Sequence, residues 1–260
     1  MMTMIDDDDG GEGGVMINNT NLMMKGYNVA KCLPTQSTRS FVQQLKIMSA
    51  TALKDLAKKL PKTEVHLHLD GSLSAEFICK RAKVRNIKLG VDKSNLRTFL
   101  HSRKQVQIAD GNKQKIKGNW GIFDFCNQFL QTKEELVEAT TDLLHRCAKE
   151  NVRCCEIRFC PTLHTLEGLS ERDAVQSVIN GYIKAKETID IEGGVIVCAL
   201  RSYPKEHAIQ MAHIASEFLK YTPGVVGYDI AGDEGSYGLE LMMDGVREAN
   251  RLNVPVTVHA

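Results

Sequence analysis

Short apolar runs alternate with segments of helical periodicity through most of the chain. Five apolar runs have the length and composition of strands, at residues 63–69, 152–160, 194–200, 225–230 and 254–259. Helical spacing of apolar side chains recurs between them, at residues 74–85, 123–130, 133–150, 171–188, 206–221 and 239–251. Ser74 is a candidate N-cap for the first of these helices. Strands that alternate with helices in this way predict a parallel α/β sheet with right-handed crossover connections.

The first fifty residues differ from the rest of the chain. Four aspartates at residues 6–9 precede a glycine-rich stretch, and such a segment cannot bury enough apolar surface to offset its backbone entropy. We therefore expect residues 1–50 to form a disordered acidic and glycine-rich leader, with residues 51–260 as the folded part. Met48 is a second candidate for the start of translation. Residues 92–118 are also largely polar, and this length predicts short helices or a lid rather than a simple loop.

Polar side chains that could carry chemistry collect at the carboxyl ends of the predicted strands. Following the strands in order, they are His66, His68 and Asp70, then Arg158, then Arg201, then Asp229 and Asp233, and finally His259. A (β/α)8 barrel places its active site at this rim, whereas a doubly wound sheet concentrates it at one switch point. No glycine-rich dinucleotide or Walker-type loop follows a strand. The pattern favours a TIM-type (β/α)8 barrel of which about the first five strand-helix units are present.

Composition narrows the class of protein. With 260 residues, 43% of them hydrophobic, and a formal net charge of +1, the chain can bury a large core and has no field that would gather nucleic acid or an anionic membrane. The eight cysteines are irregularly spaced and include no Cys-x-x-Cys pair, so we expect reduced, mostly buried thiols. No signal peptide and no membrane span are predicted. A cytoplasmic protein whose partners are small molecules or other proteins is the expected class.

Two histidines on the first predicted strand carry the clearest chemical signal. Residues i and i+2 of a strand point to the same face, so His66 and His68 project side by side, about 6.6 Å apart at Cα. That separation allows two imidazole nitrogens to converge on one zinc ion at about 2.0 Å. The alternative is an ordinary His-x-His on a half-exposed strand. The apolar neighbours Val65, Leu67 and Leu69 favour a strand buried on both faces and therefore a metal, because buried imidazoles need a partner.

Four motifs in this order resemble those of the adenosine deaminases, zinc enzymes of the amidohydrolase superfamily with a (β/α)8 barrel. They are PKTEVHLHLDGS at residues 61–72, EIRFCP at 156–161, DIAGDE at 229–234 and VHA at 258–260. The resemblance covers residues 61–260. It implies Zn²⁺ as cofactor and hydrolytic deamination of adenosine and 2′-deoxyadenosine to inosine and ammonia, in purine salvage or catabolism.

The resemblance also implies roles for individual residues. His66, His68 and His259 are expected to ligate zinc. Asp70 is expected to accept a hydrogen bond from the ribose 5′-hydroxyl. The backbone N–H of Gly232 is expected to meet purine N3, where the lack of a Cβ permits close approach.

Phe125 and Phe129 match the apolar wall of the family's substrate pocket, although the packing face of a helix explains them as well. Arg158 and Glu156 are expected to organise the strand ends.

Asp70 bears on the choice of substrate within the family. A carboxylate suits a neutral 5′-hydroxyl and repels a 5′-phosphate, which favours a nucleoside. Relatives that deaminate N6-methylated AMP tend to have asparagine at this position. A modified adenine nucleotide, or another purine or amide substrate, remains an alternative.

The family's remaining catalytic groups are expected beyond residue 260. They are a glutamate that protonates purine N1, a histidine that orients the attacking hydroxide, and an aspartate that completes the zinc site. We therefore expect a truncated adenosine deaminase that is not active by itself. The alternative is a non-catalytic fragment that binds a nucleoside or a protein.

Overall fold

The computed structural model describes residues 49–89, 93–100 and 118–259, with only the backbone described at residues 118–120. The predicted leader, residues 1–50, lies outside this part except for Ser49 and Ala50, which cap and begin the first helix.

Five parallel strands and the helices between them form the described fold. The strands are β1 (Lys62–His68), β2 (Val152–Phe159), β3 (Glu192–Leu200), β4 (Val225–Ala231) and β5 (Val256–Val258). The α-helices in the described ranges are α1 (Ala50–Lys59), α2 (Ala75–Val84), α3 (Lys93–Leu100), α4 (Gly118–Asn127), α5 (Lys133–Lys149), α6 (Glu171–Lys186), α7 (Lys205–Phe218) and α8 (Met243–Arg251). Each strand pairs in parallel with the next, in the order β1-β2-β3-β4-β5. The predicted fold class is confirmed as part of a TIM-type barrel, a curled arc of five strands.

Local sequence signals set several helix ends. Ser74 caps α2, where its Oγ accepts a hydrogen bond from the Phe77 N–H at 3.1 Å, as its residue type predicts. Thr132 and Glu135 form a reciprocal capping box at the start of α5. The helix predicted at 123–130 instead begins at Gly118 and ends at Asn127. The helix predicted at 239–251 begins with a 3₁₀ turn, Leu239–Met242. Of the predicted lid region, α3 lies in the described part.

The period-two alternation of the strands separates an apolar face from a polar face. Ile157, Val195, Val197, Tyr228 and Ile230 belong to the main core, which the helices cover. The residues between them point the other way. On β1 to β5 this second face carries His66, His68, Arg158, Cys198, Asp229 and Thr257. The functional side chains therefore share the concave face of the arc.

One expectation about β1 is wrong. The strand is not buried on both faces, because Val65 is 50% exposed and His66 is exposed as well. The reason is its position among the described strands, where β1 pairs with β2 on one side and lies at the edge of the arc.

The cysteines in the described ranges have the state that the sequence predicts. Those in the described ranges are free thiols, and Cys126, Cys155, Cys160 and Cys198 are buried. None of the helices in this part of the chain has the length and apolar character needed to cross a membrane.

The buried imidazole of His164 is expected to make the free energy of unfolding depend on pH. It is fully buried at the end of the 3₁₀ turn after β2; Nδ1 lies 3.0 Å from the Leu130 carbonyl oxygen, and Nε2 has no partner. Burial lowers the pKa of His164 from 6.5 to about 4. Because the unfolded chain takes up this proton first, stability is retained above pH 6.5 and falls between about pH 6.5 and pH 4, by about 3 kcal/mol.

Urea unfolding at pH 7.5 and pH 4.5 measures this effect against His164→Asn, whose amide can still donate to Leu130 but does not titrate. The variant should lose less stability on acidification than the original chain. An equal loss in both would contradict the assignment to His164.

Candidate metal centre

Three histidines converge at the carboxyl end of the sheet. His66 and His68 lie on β1, and His259 follows β5; one ligand nitrogen from each lies within 4.8 Å of the other two. The shortest separation joins Nε2 of His68 to Nε2 of His259, at 3.0 Å. The ring centroids of His66 and His259 are 4.5 Å apart. The structure thus brings together the three residues that the sequence singled out as ligands.

The curl of the sheet creates this convergence. In a flat sheet, four interstrand spacings of about 4.8 Å would separate β1 from β5 by about 19 Å. Instead, His68 and His259 are in contact although they are 191 residues apart. Backbone pairing with β4 holds His259 in position, because the His259 N–H donates to the Ile230 carbonyl at 2.9 Å.

The nitrogen geometry fits a zinc ion. Two nitrogens at about 2.0 Å from a tetrahedral zinc are about 3.3 Å apart, close to the separation of the His68 and His259 nitrogens. Three protein ligands with an open fourth position are typical of catalytic zinc sites. The donor set therefore fits the metal that the sequence suggests.

The charge state also suits a metal. Burial, followed by the neighbouring His259 and Arg158, lowers the pKa of His68 to about 3. Burial and Arg158 lower the pKa of His66 as well. Both imidazoles are therefore neutral near pH 7, the form in which histidine binds metals.

A buried carboxylate stands behind His259. Asp229 on β4 is 0% exposed, and its Oδ2 lies 2.8 Å from Nδ1 of His259 and 3.0 Å from Nη1 of Arg158. The contact with His259 is close without being aligned as an ideal hydrogen bond. Burial raises the pKa of Asp229, but His259, Arg158 and Thr257 outweigh it and hold the pKa below the ordinary value. The sequence marked Asp229 as a polar residue at a strand end but did not predict these partners.

Asp70 lies two residues beyond His68 in a buried position. Its Oδ1 has no hydrogen-bond partner. Burial raises the pKa of Asp70 to about 7. A buried acceptor with a free oxygen is suited to a hydroxyl donor.

Gly232 occupies a conformation that favours glycine. Its φ is +112°, and a Cβ there would lie 3.3 Å from the Arg201 backbone nitrogen. Arg201, almost fully buried, donates from Nη2 to the His259 carbonyl at 2.6 Å and from Nη1 to the Tyr237 carbonyl at 3.2 Å. The loop after β4 is thereby tied to the backbone of the third histidine.

The phenylalanines of α4 and of the turn after it have different surroundings. Phe125 and Phe129 are buried in the main core, where Phe125 packs edge-to-face on Phe99 at 5.2 Å and on Phe129 at 5.5 Å. Phe123, which the sequence did not single out, lies edge-on to His68 at 5.7 Å. Its ring also covers Gly71, where a Cβ would come within 3.0 Å of it. In the described structure, Phe123 is thus the aromatic ring of α4 that contacts a proposed ligand.

Comparisons with known proteins identify the family of this chain. Residues 61–260 match the sequence profile of the family described as adenosine deaminase. The adenosine deaminase of Streptococcus agalactiae serotype III is 36% identical over 214 residues, 82% of this chain and 59% of the relative. The chain therefore spans about three fifths of the length of this relative.

Two solved structures share the fold. An amidohydrolase from Burkhoderia ambifaria with bound Zn has a TM-score of 0.68 at 20% identity, covering 82% of this chain and 56% of that one. Arabidopsis N6-mAMP deaminase has a TM-score of 0.65 at 21% identity, covering 79% of this chain and 60% of that one. On the extent of the sequence match, this chain belongs to the adenosine deaminase family.

Proposed function

We propose that this chain carries the three-histidine part of a zinc site that serves the hydrolytic deamination of adenosine and 2′-deoxyadenosine to inosine and ammonia. The observation that carries the proposal is the convergence of His66, His68 and His259. The match to the adenosine deaminase family and the relative that bears this name support the choice of reaction. The free thiols are in keeping with a cytoplasmic site of action.

In this proposal the three imidazoles hold Zn²⁺ as neutral nitrogen donors. Zinc supplies a Lewis acid that lowers the pKa of water toward 7, so that the nucleophile forms at neutral pH. The purine lies against the same face of the arc. Gly232 leaves room for its backbone N–H to reach the purine edge. Phe123, beside His68, supplies an apolar wall and excludes water.

Phe125 and Phe129 would have a different role. Their burial against Phe99 places them in the core, so we propose that they support the position of α4. Direct contact of either ring with substrate, the role that the family resemblance suggests, remains the alternative.

Asp70 favours a nucleoside over a nucleotide. Its unpartnered Oδ1 can accept a hydrogen bond from the 5′-hydroxyl, and no described ion pair neutralises its carboxylate. At a pH above the raised pKa of Asp70, a 5′-phosphate at this position would meet a like charge, which costs several kcal/mol where water is excluded. The named substrate of the Arabidopsis structure, N6-mAMP, is the competing candidate.

A substrate comparison on the purified, zinc-loaded chain tests the proposal. Binding of adenosine, 2′-deoxyadenosine, AMP, N6-methyl-AMP and adenine is measured at equilibrium, with ammonia release followed in the same samples. The two nucleosides should bind most tightly. Preference for AMP or N6-methyl-AMP would contradict the assignment to nucleosides, and binding of none of the five would contradict a purine site.

Asp70→Asn should change this preference. The substitution keeps the side-chain size and an acceptor oxygen but removes the negative charge. We expect the ratio of adenosine to AMP affinity to fall by about tenfold or more. Inosine and IMP, which do not undergo deamination, provide the same comparison without turnover.

Asp233→Asn is the matched control, because Asp233 is an exposed acid that hydrogen-bonds Ser236 within its own loop. It should leave the ratio unchanged. An unchanged ratio in Asp70→Asn would show that Asp70 does not face the 5′ position.

A further inference from the structure

We propose that the buried Asp229–Arg158 pair positions the metal ligands by joining the two edges of the arc that carry them. Asp229 orients His259 from one side, and Arg158 holds β1 at the peptide that precedes His66. Both are positioning residues that act through the histidines. The inference rests on the proposed function, since it concerns the same zinc site.

The Asp229 carboxylate lies on the side of the His259 ring away from the other ligands. Asp229 Oδ2 lies 2.8 Å from Nδ1, on one side of the ring, while Nε2 on the other side lies 3.0 Å from Nε2 of His68. An acceptor at Nδ1 favours the tautomer with its proton there, which leaves the Nε2 lone pair for a metal. The carboxylate is itself held in place, because Thr257 on β5 donates to Oδ1 at 2.8 Å.

Arg158 carries the connection across to the other ligands. Its Nη1 donates to Asp229 Oδ2 at 3.0 Å, and its Nη2 donates to the Val65 carbonyl at 2.8 Å. Val65 and His66 share that peptide, so the guanidinium fixes β1 next to the first ligand. Among the described residues β1 pairs with a strand on one side only, so this contact is a second tether for it.

Burial separates this arrangement from an ordinary surface ion pair. The side chains of Arg158 and Asp229 are 5% and 0% exposed. The Cys198 thiol lies 3.5 Å from the same carboxylate oxygen, Oδ2. A buried pair of charges is often no more stabilising than an apolar replacement of the same volume. A role at the metal site would explain why this position has a charged pair.

The test compares zinc affinity in Asp229→Asn and in the double variant Arg158→Met/Asp229→Asn. Dissociation constants come from competition with a chelator, and the visible spectrum of the Co²⁺-loaded protein reports ligand geometry. We expect each variant to bind zinc about 10- to 100-fold more weakly, the usual loss when the outer partner of a ligand is removed. The Co²⁺ spectrum should change in both.

The double variant separates positioning from charge balance. Asp229→Asn alone leaves Arg158 buried without its partner, whereas the double variant removes both buried charges. If the unpaired Arg158 is the sole cause of instability, the double variant regains the original stability. Urea unfolding of the metal-free protein measures this. Zinc affinity that returns to the original value together with stability would overturn the inference. Original affinity in Asp229→Asn alone would also overturn it. If Asp229→Asn does not fold, the double variant provides the comparison.

Two controls keep this result separate from the proposed function. Asp233 is an exposed acid near the same strand end, and Asp233→Asn should retain the original zinc affinity and Co²⁺ spectrum. If the unaltered chain binds no zinc, the proposed metal site fails and the inference fails with it. If the unaltered chain binds zinc and the Asp229 variants bind it equally well, the inference alone fails.

Discussion

His68→Ala is expected to weaken zinc binding by more than about 100-fold, because loss of even an outer partner of a ligand costs 10- to 100-fold. His68 is central to the cluster: its Nε2 is 3.0 Å from that of His259, and its ring packs edge-on against the rings of both His259 and Phe123. Its low pKa means that no proton competes for the nitrogen near neutral pH. Chelator competition measures the affinity, and circular dichroism checks the fold.

His213→Ala is the matched control for this substitution. His213 lies on α7, half exposed, and pairs with Glu248 at 2.8 Å. It should bind zinc as the original chain does. Retained tight binding in His68→Ala would show that zinc is held elsewhere.

Arg158→Met should have the second large effect, a loss of stability in the metal-free protein. The substitution leaves the Asp229 carboxylate buried with its cationic partner removed, and breaking a buried pair in this way costs about 3–5 kcal/mol. Urea unfolding of the metal-free protein measures the loss as a lower midpoint with an unchanged slope.

Arg172→Met tests whether burial is the cause. Arg172 forms the same kind of pair, with Glu217 at 2.7 Å, but both side chains are exposed. The expected loss is below about 1 kcal/mol. Equal losses in the two variants would contradict the argument from burial.

Features that depend on local spacing could be predicted from the sequence. The five strands follow from the apolar runs, and the projection of His66 and His68 to one face follows from the two-residue period of a strand. The N-cap at Ser74 follows from its residue type. Each of these needs only neighbours along the chain.

Features that depend on distant contacts could not be predicted in the same way. The partners of Asp229 lie 28 to 71 positions away along the chain, so only the register of the strands reveals them. The exposure of Val65 depends on which strand forms the edge of the sheet. Phe123 of α4 contacts His68, whereas Phe125 of the same helix packs on Phe99 of α3, and both contacts depend on how the helices pack together.

X-ray absorption spectroscopy of the chain loaded with one equivalent of zinc tests the central claim most directly. The account predicts a first shell of nitrogen and oxygen at about 2.0–2.1 Å, with the outer-shell scattering of three imidazole rings. Sulfur at about 2.3 Å, as expected if Cys160 or Cys198 held the metal, would contradict it, and so would a shell without imidazole.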